Sequence, residues 1–195
     1  LGMARFKQTK GGTFYFTLSD TIWSQTGTTI FDSIDAGGSF FGFSTAISAD
    51  GSTIAGGGYK DDGWEGAVWV YRRNGSEWAQ YGSKLWIHDQ RWHSSWFGYS
   101  VALSGDGSTL AVGSPLSNSP DPPSVGSGAI YIYTRSGNGY VPQGDSIVAP
   151  NIHGLGYYVS IADDGNSLVT YSSDSGVVLF VRNAGVWTKQ RTFHT

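Results

Sequence analysis

The chain has no cysteine among its 195 residues, which excludes disulfide staples, thiolate metal sites and cysteine nucleophiles. This does not set the compartment, because a repeat fold can stand outside the cell without bridges. Charge is scarce as well: 14% of residues are charged, Lys plus Arg number 12, and the net charge is −3. There is no basic run or stripe, so a nucleic-acid backbone is not an expected partner. No apolar run approaches the roughly 18 residues of a membrane span. A signal-peptide pattern is missing too; the chain starts at Leu1 and reads as a mature or truncated product. The Gly-x-Ser-x-Gly elbow, Gly-x-Gly-x-x-Gly, the phosphate loop and His-Glu-x-x-His are all absent.

What is abundant is glycine, at 29 residues, and aromatics, at 15%. That combination with little charge points to short strands and tight turns, not to disorder. A repeat is visible by eye. Phe41-Gly42-Phe43-Ser44-Thr45-Ala46-Ile47-Ser48-Ala49-Asp50-Gly51-Ser52-Thr53-Ile54-Ala55 matches Phe97-Gly98-Tyr99-Ser100-Val101-Ala102-Leu103-Ser104-Gly105-Asp106-Gly107-Ser108-Thr109-Leu110-Ala111. A third copy runs from Leu155 to Leu168, and the Asp-Gly pairs at 50, 106 and 164 lie 56 and 58 residues apart.

The second half of the unit recurs as well. Gly66-Ala67-Val68-Trp69-Val70-Tyr71 matches Gly128-Ala129-Ile130-Tyr131-Ile132-Tyr133 and Gly176-Val177-Val178-Leu179-Phe180-Val181, each followed by a polar turn and one more strand. The N-terminus carries this second half alone, with Gly12–Phe16 expected as its third strand and Thr21–Gln25 as its fourth. Asp-Gly between apolar runs predicts a hairpin, because the turn needs positive φ. No window shows a helical period. Third strands apolar on both faces suit sheets sandwiched between neighbours.

These residues resemble the FG-GAP repeat: the Phe-Gly opening, the Asp-Gly hairpin, the Ala111-Val112-Gly113-Ser114-Pro115 run and the Gly-Ala-φ-Tyr-φ-Tyr strand. The resemblance covers roughly residues 12–193 and implies an all-β fold, a β-propeller with blades of four antiparallel strands. The expected division is a half blade at 1–39 and full blades at 40–96, 97–154 and 155–195. These would form part of a larger ring of about seven blades, because an open arc exposes two edges; an open arc packed in an assembly is the alternative. The family often binds calcium in its first hairpin. Calcium takes six to eight oxygens, and these hairpins offer one Asp in two copies and two in the third. No metal and no cofactor are therefore expected.

In the family, as integrins illustrate, partners bind mostly on the face of the strand 2–3 and 4–1 connections. The long insertions here fall on that face: residues 57–65, 87–96 and 115–127. Six of the eight tryptophans lie between positions 64 and 96. Trp69, Trp78 and Trp86 read as blade core. Trp64, Trp92 and Trp96 sit in or beside loops, next to Asp61, Asp62, Asp89, Arg91 and His93. Such tryptophans suit stacking on sugars, anchoring a protein partner, or capping the gap between blades. His88, Asp89 and His93 read as loop polar groups, not as a metal site. Asn74-Gly75-Ser76 is a glycosylation acceptor at a hairpin tip.

The resulting expectation is a non-enzymatic, extracellular or cell-surface propeller that mediates adhesion or protein–protein assembly. A carbohydrate-binding propeller is the alternative. A glycan hydrolase is a third and weaker reading, since the only glutamates are Glu65 and Glu77.

Overall fold

The computed structural model describes residues 16–19, 22–25, 38–87, 94–117, 127–149, 152–172 and 174–194. A short antiparallel hairpin, β1 (Phe16–Ser19) and β2 (Ile22–Gln25), comes first. Three four-stranded antiparallel sheets follow in chain order. The first holds β3 (Ser44–Ile47), β4 (Thr53–Gly58), β5 (Ala67–Asn74) and β6 (Glu77–Gln80). The second holds β7 (Ser100–Leu103), β8 (Thr109–Ser114), β9 (Ala129–Ser136) and β10 (Gly139–Pro142). The third holds β11 (Val159–Ile161), β12 (Ser167–Ser172), β13 (Gly176–Asn183) and β14 (Val186–Phe193). Each sheet is a simple meander, and the first strands of successive sheets lie side by side, β3 against β7 and β7 against β11.

The Asp-Gly segments form loops that organise themselves. Ser48 Oγ donates to Asp50 Oδ1 at 2.6 Å and accepts the Thr53 N–H at 3.0 Å, while the Ser52 N–H donates to Asp50 Oδ1 at 2.9 Å. Ser104, Asp106, Ser108 and Thr109 repeat this network. In the third copy Ala162 replaces the serine, and the Asn166 N–H to Asp164 bond remains, at 2.8 Å. Gly51, Gly107 and Gly165 take φ of 67°, 65° and 70°, the left-handed conformation that glycine adopts without a Cβ penalty.

Sheets are joined by close backbone contact. A Cβ on Gly57 would lie 2.1 Å from the Gly98 carbonyl oxygen, and one on Gly113 would lie 2.1 Å from that of Gly156. Ser44 and Ser100 donate their hydroxyls to the same two carbonyls, at 2.8 and 2.7 Å. At the other end of the seam, Ala49 N–H donates to Gly105 O at 2.8 Å, and Gly105 N–H donates to Asp163 O at 2.9 Å. Phe97 and Leu155 are fully buried; Phe97 bridges in parallel to Gly66 and Leu155 to Gly128, each just before a third strand of the preceding sheet. Each such side chain contributes roughly 1.5–3 kcal/mol.

The third sheet departs from this pattern. Its positions equivalent to Ser44 and Gly57 are Tyr158 and Tyr171, whose rings meet edge-on at 6.3 Å. They are 67% and 42% exposed, beside exposed Val169 and Val177. β4 and β8 are buried along their whole length, whereas β12 alternates buried and exposed residues. A neighbour on this side would meet the Tyr171 ring and not the bare glycine backbone that Gly57 and Gly113 offer.

Three expectations need correction. The strand expected to end at Phe16 continues to Ser19, and residues 12–15, where it was expected to begin, lie outside the described residues. Trp86 is 50% exposed and not core. Its neighbour Leu85 bridges to Val68 and turns toward the core, so the strand alternation points Trp86 the other way. One helical turn, α1 (Asp61–Trp64), also interrupts the strands, with Asp62 and Gly63 left-handed inside it. Trp69 is 1% exposed, and Trp78 packs against the same first-sheet cluster as a half-buried residue.

Candidate binding site

The β4–β5 connection folds back on itself. The Gly66 N–H donates to the Asp61 carbonyl at 2.9 Å, closing a tight loop that reaches Trp64 with φ of 80°. Backbone bonds then tie this loop to the segments that open the first and second units. Lys60 N–H donates to Ser39 O at 3.2 Å, Trp96 N–H to Trp64 O at 3.1 Å and Phe97 N–H to Glu65 O at 2.9 Å. Ser95 Oγ adds a bond to Glu65 O at 2.8 Å.

An aromatic cluster results. Tyr59 is its hub, with ring centroids 4.5 Å from Phe43, 5.4 Å from Tyr99, 5.5 Å from Trp96, 5.8 Å from Trp64 and 6.0 Å from Phe40. Trp96 stacks on Tyr99 at 5.4 Å and on Trp64 at 6.1 Å. Phe43, Tyr99 and Tyr157, each just after the glycine of a unit's opening, run ring to ring at 4.9 and 5.4 Å. Such pairs contribute about 0.5–1.5 kcal/mol each beyond area burial. Phe40 and Trp64 remain 42% and 41% exposed at the rim.

The backbone under this cluster is unusual. Phe40, Trp64 and Trp96 have φ of 57°, 80° and 56°. Bulky residues rarely adopt this region, and each costs on the order of 1–3 kcal/mol. Polar groups lie beside the rings. Lys84 Nζ pairs with Asp61 Oδ2 at 2.5 Å, and Asp62 is exposed. Burial pushes the Tyr99 hydroxyl above the ordinary tyrosine range, reinforced by Tyr158, Tyr157 and Tyr59.

Of the residues singled out from sequence, Asp61, Asp62, Trp64 and Trp96 come together here. Asp89, Arg91, Trp92 and His93 lie outside the described residues. Asn74 is exposed at the β5–β6 turn. Phe40, Tyr59, Lys60 and Tyr99 belong to the cluster and were not among the expected site residues. Phe40 could have been found from its register, since it precedes the opening Phe-Gly as Trp96 does.

A separate cleft of about 470 Å³ opens between Ser146–Ala149 and β14. Its lining includes one carboxylate, Asp145, one amine, Lys189, and Trp187, whose indole N–H donates to Gln143 Oε1 at 3.2 Å. Among the described residues no three metal-ligating side chains converge, and no helix is long and apolar enough to cross a membrane.

No curated protein matches the chain. Among solved structures, a protein from Bacteroides uniformis ATCC 8492 named as a 6-phosphogluconolactonase aligns with a TM-score of 0.60 at 14% identity, over 93% of this chain and 48% of that one. The Kuenenia stuttgartiensis hydrazine synthase aligns with a TM-score of 0.51, also at 14% identity, over 85% of this chain and 39% of that one. The chain thus spans less than half of either structure, and likeness at this identity speaks to fold alone. Residues 91–133, which include β7, β8 and most of β9, match the FG-GAP repeat family. The chain is therefore an all-β protein that carries an FG-GAP repeat.

Proposed function

We propose that this chain is part of an extracellular or cell-surface β-propeller that binds a partner, in adhesion or protein assembly, and performs no catalysis. Three full blades and an N-terminal half blade contribute to a larger ring. The observation that carries the reading is the strained aromatic cluster. Phe40, Trp64 and Trp96, all at positive φ, converge where the 2–3 connection of one unit meets the openings of two units. Strain of this kind concentrates at binding sites, where surrounding structure holds it. Exposed aromatic anchors beside charged groups are what partner hot spots use. The exposed Asn74 acceptor fits a surface location.

Glycan binding is the second reading, supported by the exposed rings of Phe40 and Trp64, which suit stacking on a sugar. For hydrolysis a facing pair of carboxylates is needed, and the cleft beside Trp187 offers Asp145 alone. The test is binding of the labelled protein to cells, compared with Trp64→Ala and Phe40→Ala. A loss of tenfold or more in both variants is expected. Sensitivity to protease treatment of the cells identifies a protein partner, and sensitivity to deglycosylation a glycan. Unchanged binding by both variants would refute the site.

A further inference from the structure

We infer that Phe40, Tyr59 and Trp64 form an aromatic cage for a quaternary ammonium group, and that Lys60 occupies this cage with its own ammonium. Lys60 Nζ lies 4.1 Å from the Phe40 ring centroid, 4.1 Å from that of Trp64 and 5.7 Å from that of Tyr59. All three distances fall within the roughly 6 Å over which a ring face attracts a cation.

The cation is held by rings and not by charge. Among the described residues no carboxylate pairs with Lys60, and the adjacent carboxylate of Asp61 is committed to Lys84. The walls are fixed independently of their occupant. Tyr59 is braced by Phe43, Tyr99 and Trp96, and Trp64 is anchored through its carbonyl to the Trp96 N–H. Phe40 and Trp64 reach their places only with left-handed backbones. The walls are thus positioned by backbone and ring contacts other than those with Lys60. An ammonium is strongly hydrated and three of its N–H groups want acceptors, which rings satisfy poorly. A quaternary ammonium has no N–H to satisfy and less hydration to lose, so it suits these walls better than the lysine does. The tethered lysine competes at an effective concentration on the order of millimolar. An incoming ligand must displace it, and its removal must strengthen binding.

The cage shares Phe40 and Trp64 with the proposed partner site but does not depend on that reading. Its failure leaves the cell-binding result unaffected. The experiment titrates the protein with choline and with 3,3-dimethylbutanol, the uncharged isostere, following the ligand methyl resonances by NMR. Lys60→Gln and Lys60→Ala should bind choline at least tenfold more tightly than the native chain. Trp64→Ala in either background should abolish the gain, and the isostere should bind neither variant. Phosphatidylcholine vesicles then separate sources: binding to choline alone points to a soluble ligand, and binding to both points to a lipid headgroup. Two results would overturn the cage. One is equal binding of choline and its isostere. The other is no choline binding by either lysine variant while its near-ultraviolet circular dichroism matches the native protein.

Discussion

The carbonyl oxygen of Gly156 sits 2.1 Å from the point where a Cβ on Gly113 would stand. That approach is possible only because position 113 has no side chain, and Gly57 meets Gly98 in the same way. The nearest atom in the way is a backbone carbonyl oxygen, which cannot swing aside, with the Ser44 or Ser100 hydroxyl next to it. Gly57→Ala and Gly113→Ala should each destabilise the fold by roughly 3 kcal/mol, the upper part of the range for overpacking. Urea denaturation should show lower midpoints for both. Gly75→Ala, at a turn open to solvent but with φ of 63°, should cost less, on the order of 1 kcal/mol. Equal midpoints for Gly113→Ala and the native chain would contradict the close approach.

Trp96 links two roles. Its ring stacks on both Tyr99 and Trp64, and its backbone ties the second unit to the first. Trp96→Phe should keep much of the stability, while Trp96→Ala should lose about 1–3 kcal/mol as the half-buried cluster loses a ring. Partner binding should fall in Trp96→Ala more than stability alone explains. Binding measured well below the unfolding transition checks this.

Acid should weaken the Asp-Gly loops. Asp50 is held below the ordinary aspartate value of 3.8, first by the Ser48 hydroxyl and then by the Ser52 N–H. Asp106 is likewise lowered, first by the Ser108 N–H and then by the Ser104 hydroxyl. A carboxyl whose folded pKa lies below its unfolded one adds stability above the unfolded value. That stability is lost as pH falls through the folded value. Both residues are exposed, so the effect is modest. Urea midpoints should drop below pH of about 4, and a double Asp50→Asn, Asp106→Asn variant should show a shallower drop. Identical pH profiles would count against it.

Alkali probes the core of the second unit. Burial raises the Tyr140 hydroxyl to about 12 and pushes that of Tyr133 higher still. Tyr140 also donates to the Gly107 carbonyl, which it can do only when protonated. A phenol with a raised folded pKa stabilises the fold fully below the unfolded value, near 10. That contribution is lost as pH rises toward the folded value. Tyrosinate absorbance should therefore show a fraction that titrates late, near unfolding, and Tyr140→Phe should shrink that fraction. A single transition near the ordinary tyrosine value would disprove the burial.

Much of the fold was legible in residue order. The spacing of Asp50, Asp106 and Asp164 and the matching apolar strands after Gly66, Gly128 and Gly176 marked the three sheets and their strand order. These patterns are local: alternation, turn glycines and apolar runs act within a few residues. The site was legible only in part. Asp61, Asp62, Trp64 and Trp96 were visible as loop aromatics with charges nearby. Tyr59, Lys60 and Tyr99 were not, because nothing local marks which aromatic and basic residues of an insertion or strand opening meet once the sheets pack, and Phe40 was legible only from its register with Trp96. Trp86 was misread because a tryptophan after a strand gives no sign of which face it takes.

Sequence alone determined that this chain would make repeated four-stranded antiparallel sheets, since turn chemistry and side-chain alternation are local properties. Tertiary packing decided which glycines face a neighbouring backbone, which tryptophans stay exposed, and that Lys60 ends between two rings. It also set the third sheet apart: Tyr158 and Tyr171 stand where Ser44 and Gly57 receive the next unit. Those outcomes depend on contacts between segments some 20 to 60 positions apart, such as Phe40 with Tyr59 or Gly57 with Gly98, and no local rule encodes them.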